Sequence, residues 1–146
     1  MILNVNRALF LYQSSVEPGN TILGGFGMQD FSRELIFPGV TLTHIGTDKF
    51  KTGYLSVNLM APLRKDTASK NAVLPRVLRR GTASCPDMKS ISEKLDDLYG
   101  AAIEPSVRKR GECQIFGFVS SFIDDKYAPG TGIFEKLTSL MAEMLI

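Results

Sequence analysis

The 146-residue sequence predicts an α+β domain in which one antiparallel β-sheet carries helices on one face, in two layers. Three observations predict this class. Four segments show β-strand patterns and occur as two consecutive pairs; two helical patterns lie between the pairs; and a third helical pattern follows them. Short links between consecutive strands favour antiparallel pairing, and helices inserted between strand pairs favour one covered face.

The composition fits a single folded unit. Hydrophobic residues make up 44% of the chain, and 17 basic against 15 acidic residues give a net charge of only +2. The apolar run Ala8–Tyr12 is too short for a signal-peptide core or a membrane span. The two cysteines, Cys85 and Cys113, do not form a C-x-x-C pair, so we expect free thiols in a reducing compartment. The sequence therefore predicts a cytoplasmic protein that does not enter the membrane.

The stretch "TILGGFG" divides the chain. Its glycines favour irregular backbone, and Met28 follows them directly. We interpret residues 1–27 as a leader or extension, which is either genuine, the product of an upstream start codon, or added sequence. Residues 28–146 are then the folded domain.

The first strand pair is predicted over Val40–Ile45 and Thr52–Ala61. In the second strand apolar residues alternate with Tyr54, Ser56 and Asn58, the pattern of a strand with one buried face. A turn-prone link joins the two segments, so we expect them to form an antiparallel pair.

Two helices are predicted next. The first lies within Ser69–Thr82, where Ser69 is a candidate N-cap, although Pro75 stands in its middle. The second follows Asp87 as N-cap and stops at Gly100. Its apolar stripe comprises Ile91, Leu95 and Leu98.

The second strand pair is predicted over Ala101–Val107 and Glu112–Ile123, joined by a turn at residues 108–111. Both faces of the longer strand are apolar, which predicts a central position in the sheet. From Ile133 an apolar helical stripe runs to the last residue, and we interpret this ending as part of a larger, truncated domain.

Few residues suit catalysis. The single histidine, His44, cannot supply a metal site with two histidines, and on a strand it is more often a structural residue. No G-x-S-x-G or G-x-G-x-x-G pattern occurs, and the adjacent acidic pairs diverge too far to act on one substrate atom.

Two basic clusters are candidates for binding. One comprises Arg76, Arg79 and Arg80, and the other is a predicted contact patch formed by Arg108, Lys109 and Arg110 in the turn. Either could attract RNA or an acidic peptide. The turn has no interleaved aromatic residues for base stacking, so we favour a solvated surface over a nucleic-acid site.

Four stretches together resemble the N-terminal part of the insulinase (pitrilysin) family over about residues 38–146. They are "GVTLTHIGTDKFKTGYLSVNLMAPL", "SKNAVLPRVLRRGT", "MKSISEKLDDLYGA" and "SVRKRGECQIFGFVSSF". The resemblance implies the metallohydrolase fold of mitochondrial processing peptidases. It also implies a helix that carries the zinc motif H-x-x-E-H before an Arg-Gly-Thr turn. Alignment on Arg80-Gly81-Thr82 places Ala72, Pro75 and Arg76 at the three motif positions.

These three residues do not suit zinc. Alanine and proline offer no side-chain lone pair, and arginine is a permanent cation without an acceptor. Since the chain has one histidine, no other register restores the motif. The family's third ligand, a glutamate, would fall beyond Ile146. We therefore expect no cofactor in these 146 residues, and zinc only if ligands lie outside them.

The resemblance implies a catalytically inactive subunit that forms a heterodimer with a zinc-bearing relative and lines a chamber for unfolded peptide. A possible peptide-facing edge strand comprises Ile103, Glu104, Pro105 and Ser106. Proline lacks the N–H that strand addition would use, so a blunted sheet edge is the competing interpretation. Two other functions stay open. One is a zinc metallopeptidase with ligands elsewhere, and the other is a basic module for an elongation factor or RNA.

Overall fold

The computed structural model describes residues 7–14, 30–47 and 49–145. These residues form six strands and three α-helices. In chain order they are β1 (Arg7–Ser14), β2 (Asp30–Phe37), β3 (Val40–Gly46), β4 (Thr52–Pro62), α1 (Ala68–Leu78), α2 (Met88–Asp97), β5 (Ala102–Arg110), β6 (Cys113–Ile123) and α3 (Ile133–Leu145). A single 3-10 turn at Asp125–Tyr127 connects β6 to α3.

The six strands form one sheet in the order β2-β3-β1-β4-β6-β5. Four of the five neighbouring pairs are antiparallel, and β1 with β3 is the parallel exception. The predicted α+β class with two layers is therefore confirmed. The predicted central position of β6 is also confirmed, because β6 lies between β4 and β5.

The sheet departs from the prediction in its first half. Neither β1 nor β2 was predicted, and β1 lies between β3 and β4. The expected antiparallel pairing of β3 with β4 is therefore wrong. Alternating hydrophobicity identifies a strand and its faces, but it does not identify the neighbour across the sheet. Strand β1 falls within residues 1–27, and the division of the chain at residue 27 stays a prediction.

The core lies between the sheet and the helices. From the sheet, Leu55 and Val57 of β4 and Phe118 and Phe122 of β6 enter it. The helices contribute a larger apolar set that comprises Ile91 and Leu95 from α2 and Ile133, Leu137, Leu140, Met141 and Met144 from α3. The helical spacing of the apolar residues in α3 turns one stripe toward the sheet, as the sequence predicted.

The other face of β4 is also buried at its centre, which the sequence did not predict. Ser56 and Asn58 are only 1% and 2% exposed. They are tolerated because their polar atoms are paired: the Asn58 amide donates to Ser56 Oγ at 2.9 Å, and Arg108 Nη2 donates to Asn58 Oδ1 at 3.3 Å. A hydrogen-bonded row therefore runs from the buried Ser56 and Asn58 of β4 to the exposed Arg108 of β5.

Gly117 allows β4 and β6 to approach closely at this row. It pairs with Asn58 in the antiparallel register and has a φ of +154°. A Cβ at this position would collide with the carbonyl oxygen of Val57. Only glycine fits here without displacing one of the two strands.

Helix α2 begins as predicted. The Asp87 carboxylate accepts a hydrogen bond from the Ser90 backbone N–H at 2.7 Å. The Asp87 backbone N–H in turn donates to the Ser90 hydroxyl at 3.3 Å, which completes a capping box. The bond from the Ser90 backbone lowers the pKa of Asp87, helped by the Ser90 side chain. After the helix, Tyr99 and Gly100 adopt φ values of 60° and 72° and reverse the chain into β5.

Candidate functional site: helix α1 and strand β5

Helix α1 begins earlier than predicted. The Ala68 backbone N–H donates to the Arg64 carbonyl at 2.9 Å, and the Asn71 N–H donates to Thr67 at 2.9 Å. Thr67 is the N-cap residue but forms no cap bond through its side chain. Ser69, the predicted cap, therefore lies inside the helix. The preceding turn already supplies helical hydrogen bonds, so no side-chain cap is needed to start α1.

Pro75 lies inside α1 and is almost completely buried. The helix continues past it, since the Arg79 N–H donates to the Pro75 carbonyl at 3.1 Å. Proline has no N–H for the carbonyl four residues earlier, which belongs to the buried Asn71. The ring therefore packs in the interior at the expense of one helical hydrogen bond.

The side chains at the three positions that the family resemblance aligns with a zinc motif do not fit a zinc ion. Ala72 is half-buried and Pro75 is buried, and neither carries a donor atom; Arg76 is exposed and is a cation. Within residues 7–14, 30–47 and 49–145, no three His, Cys, Asp or Glu side chains come together as a possible metal site. The side chains of Ala72, Pro75 and Arg76 therefore provide no metal ligand.

A bidentate ion pair joins α1 to β5. Arg79, directly after the helix, donates from Nη1 and Nη2 to the two carboxylate oxygens of Glu104 at 3.1 and 3.3 Å. The side chains are 29% and 58% exposed. Sequence reasoning missed this pair because the partners are 25 positions apart and belong to different elements. The pair holds the end of α1 beside the start of β5.

Strand β5 lies at one edge of the sheet and pairs only with β6 among the described strands. Of the residues predicted to face a peptide, Ile103 is buried, Pro105 and Ser106 are half-buried, and Glu104 is exposed and bound to Arg79. Pro105 has no N–H, so the edge offers no donor at that residue. The peptide-facing role of these four residues stays a prediction.

The predicted basic turn is instead the end of a strand. Arg108, Lys109 and Arg110 all lie in β5, and only Gly111 and Glu112 form the turn. All three basic side chains are exposed, but neighbours in a strand point to opposite faces. Arg108 reaches Asn58 on the face away from the core, whereas Lys109 points to the other face. The binding role of the three basic residues stays a prediction.

The side of β5 nearest α1 carries Lys109. It is paired with Gln114 of β6, and Gln114 Nε2 donates to the carbonyl of Ala68 in the first turn of α1 at 2.9 Å. This bond fixes the start of α1 to β6, and the Arg79–Glu104 pair fixes its end to β5.

A polar cluster ties the loop after α1 to α3. The Ser84 hydroxyl and backbone N–H both donate to Glu143 Oε2, at 2.5 and 3.2 Å, and Lys94 donates to the same hydroxyl at 3.2 Å. The Ser84 and Thr82 hydroxyls lower the pKa of Glu143, with smaller contributions from the Ser84 backbone and Lys94. Because the serine proton is directed at a carboxylate, we interpret this cluster as a structural tie.

None of the helices in the part of the chain that the structure describes has the length and apolar character needed to cross a bilayer.

Comparison with known proteins finds a named relative and similar solved structures. No family model matches the chain. It is 38% identical over 108 residues to the "Probable inactive metalloprotease YmfF" of Bacillus subtilis (strain 168), a match that covers 73% of this chain and 25% of that protein. The fold is similar to the crystal structure of a conserved protein from Enterococcus faecalis V583, with a TM-score of 0.74 and 25% identity over 78% of this chain and 27% of that one. The chain thus spans about a quarter of the length of each protein.

Proposed function

We propose that this chain is the N-terminal part of a catalytically inactive insulinase-family metallopeptidase homologue. The observation that carries the proposal is the set of side chains at the three motif positions of α1. Ala72 and Pro75 have no donor atom, and Arg76 brings a positive charge where a metal would need an electron pair. The helix itself is intact, so the scaffold remains while the ligands are absent from it.

The similarity to a protein named as a probable inactive metalloprotease supports this proposal, because 108 aligned residues include most of the described domain. The likeness to the Enterococcus structure supports the same arrangement of sheet and helices. The sheet and helices of this chain would then serve as a wall or a binding surface, with hydrolysis performed by another polypeptide.

The partner that we propose is a zinc-bearing member of the same family, and the assembly is a heterodimer that encloses an unfolded peptide in the cytoplasm. Strand β5 would line this chamber, since it lies at the sheet edge next to α1. Pro105 removes one edge donor, and Arg79 occupies Glu104. We therefore expect β5 to contact peptide through side chains more than through strand addition.

The competing function is a zinc metallopeptidase whose ligands lie in a part of the longer protein outside these 146 residues. The two functions differ in a property that does not depend on the substrate. A zinc peptidase binds about one zinc per chain and loses activity with a chelator, whereas an inactive subunit does neither when purified alone.

The test is affinity capture of the full-length protein from its host under gentle conditions, followed by identification of co-purifying polypeptides and measurement of zinc. We expect a polypeptide containing H-x-x-E-H, with zinc and chelator-sensitive peptidase activity found only in the complex. A matched capture from cells in which the histidines of that motif are replaced by alanine should retain the complex and lose the activity.

Recovery of the full-length protein alone, with stoichiometric zinc and chelator-sensitive activity of its own, would overturn the proposal in favour of the peptidase. If the full-length protein is recovered alone, without zinc and without peptidase activity, the proposed heterodimer is wrong.

A further inference from the structure

Positive charge is concentrated in two segments that the fold brings together. Residues 64–80 contain six basic residues and one acidic residue, and residues 102–112 contain three basic and two acidic residues. Together they carry a net charge of +6, although the whole chain carries only +2. Since α1 contacts both β5 and β6, the structure places the two segments next to each other, although they are separate clusters in the sequence.

The solvent-facing side of α1 mixes this charge with apolar side chains. Val73, Arg76, Val77 and Arg80 follow each other at helical spacings of three and four residues, and all four are exposed. The two valines are 53% and 55% exposed. The opposite side of the helix is turned inward, where Asn71 and Pro75 are buried.

Strand β5 continues the same composition beside the helix. Val107 is 40% exposed, and the next residue but one is the exposed Lys109. Residues two apart in a strand share a face, so Val107 and Lys109 lie on the same face of β5. They pair with Phe116 and Gln114 of β6, and Gln114 bonds to α1, so this is the face of the sheet that α1 covers. We call Val73, Arg76, Val77, Arg80, Val107 and Lys109 the α1–β5 surface.

Among the described residues, the cations of the α1–β5 surface form no ion pair with a carboxylate. In the part of the chain that the structure describes, no carboxylate oxygen lies within 4.0 Å of the charged nitrogens of Arg76, Arg80 or Lys109. Glu104, the acidic residue of β5, is occupied by Arg79. The surface therefore presents three cations that an external acidic group would neutralise.

We propose that the α1–β5 surface binds an acidic polypeptide segment that carries apolar side chains. The three cations match carboxylates, and the three half-exposed valines match aliphatic or aromatic side chains placed between them. Nucleic acid fits less well, because the surface has no aromatic side chain on which a base would stack. This inference does not depend on the metallopeptidase relationship, because it uses only the charge and exposure of these six residues.

The test measures binding of the complete 146-residue chain to four probes at low and moderate salt: a glutamate–tyrosine random copolymer, poly-L-glutamate, poly-L-lysine and oligo-dT. We expect the copolymer to bind most tightly, poly-L-glutamate more weakly, and poly-L-lysine not at all. Binding of the copolymer should weaken with salt but persist where poly-L-glutamate is released, because the apolar contacts are not screened.

Two variants assign the binding to the surface. Replacement of Arg76, Arg80 and Lys109 by glutamine should weaken copolymer binding about tenfold, as expected for the loss of three exposed ion pairs. Val73→Ser with Val77→Ser should reduce the copolymer's advantage over poly-L-glutamate and leave poly-L-glutamate binding unchanged. The matched control replaces three exposed lysines elsewhere, Lys49, Lys126 and Lys136, by glutamine and should keep copolymer binding within about twofold.

Circular dichroism confirms that each variant is folded before binding is compared. Equal loss in the surface variant and the lysine control would mean attraction by general charge only and would overturn the proposal. If the Val73→Ser, Val77→Ser variant still binds the copolymer as much more tightly than poly-L-glutamate as the unmodified chain does, the proposed contact with apolar side chains is wrong. Tighter binding of oligo-dT than of the copolymer, lost in the same glutamine variant, would identify a nucleic-acid surface instead.

Discussion

The Arg79 guanidinium donates two hydrogen bonds, of 3.1 and 3.3 Å, to the Glu104 carboxylate, and this pair connects the end of α1 to the edge strand β5. The geometry is the planar fork that arginine forms with carboxylates and that lysine cannot reproduce. Both side chains remain partly exposed, so water and salt screen their attraction. The pair matters more for placing α1 against β5 than for the total free energy of folding.

The first prediction concerns the energy of this pair. In a double-mutant cycle with Arg79→Ala and Glu104→Ala, we expect a coupling free energy of about 0.5 kcal/mol from denaturant unfolding, because exposed pairs contribute little. The coupling should approach zero at roughly 1 M salt, where the Debye length is about 3 Å. Lys89 and Glu93, at 3.7 Å and 83% and 65% exposed, are the reference pair and should couple more weakly. A coupling above about 2 kcal/mol would contradict the solvated description of the Arg79–Glu104 pair.

The second prediction concerns Gly117. Replacement by alanine places a methyl group against the Val57 carbonyl, so β4 and β6 must separate locally. We expect the free energy of unfolding to fall by about 3 kcal/mol or more, the range of severe steric and backbone defects. Gly111→Ala is the matched control, because its φ is +58° and no atom lies within 4 Å of the added Cβ. It should cost about 1 kcal/mol, the ordinary penalty of a left-handed residue. Equal losses in the two variants would show that the close approach of the strands is not limiting.

The third prediction concerns Pro75. Pro75→Ala gives the Asn71 carbonyl a donor and restores helical propensity worth up to about 3 kcal/mol, but it removes buried ring atoms at about 0.8 kcal/mol per methylene. We expect a net increase of about 1 kcal/mol in the free energy of unfolding, measured by urea denaturation. Pro86→Ala is the control, because Pro86 is exposed and lies outside the helices. That change should lower stability by less than about 1 kcal/mol through the unfolded chain. Loss of stability in Pro75→Ala would mean that ring packing outweighs the missing hydrogen bond.

The fourth prediction concerns pH. Hydrogen bonds from the Ser84 and Thr82 hydroxyls hold the pKa of Glu143 below the ordinary value of 4.5. A carboxylate with a lowered folded-state pKa stabilises the protein above its unfolded-state pKa, and this stabilisation is lost as the pH falls through the folded-state value. Glu143→Gln should therefore reduce stability by a constant amount near neutral pH, and the difference from the unmodified protein should shrink below about pH 4.5.

Urea unfolding of both proteins across this pH range measures the difference. In a Ser84→Ala background the effect of Glu143→Gln should be much smaller, since the main hydrogen-bond donor is gone. If the stability difference between the unmodified protein and Glu143→Gln grows as the pH falls, the neutral form of Glu143 is the better partner for Ser84.

Local sequence signals predicted most elements after residue 39. Strands β3, β4 and β6 begin and end within about two residues of the predicted bounds, and the Asp87 cap of α2 was recognised directly. These features depend on side-chain alternation, helical spacing and capping chemistry, all of which act within a few residues. Helix α1 was also recognised despite Pro75, because its apolar spacing continues on both sides of the proline.

Local sequence signals did not predict the features that depend on contacts between residues far apart in the chain. Strand β5 was expected to stop at Val107, yet the ladder with β6 carries it to Arg110 and turns a predicted basic turn into an alternating strand end. The alternation in β4 predicts an exposed face at Ser56 and Asn58, and only the assembled sheet shows that Asn58 bonds to both Ser56 and Arg108.

By itself the sequence determined the fold class, the helices and the absence of zinc-binding side chains at Ala72, Pro75 and Arg76, because residue type and short-range periodicity are sufficient for all three. Only the tertiary structure decided that β1 separates β3 from β4, that Arg79 binds Glu104, and that α1 packs beside β5. Contacts of this kind join residues that no local pattern relates, since strand order and helix placement follow from packing of the whole domain.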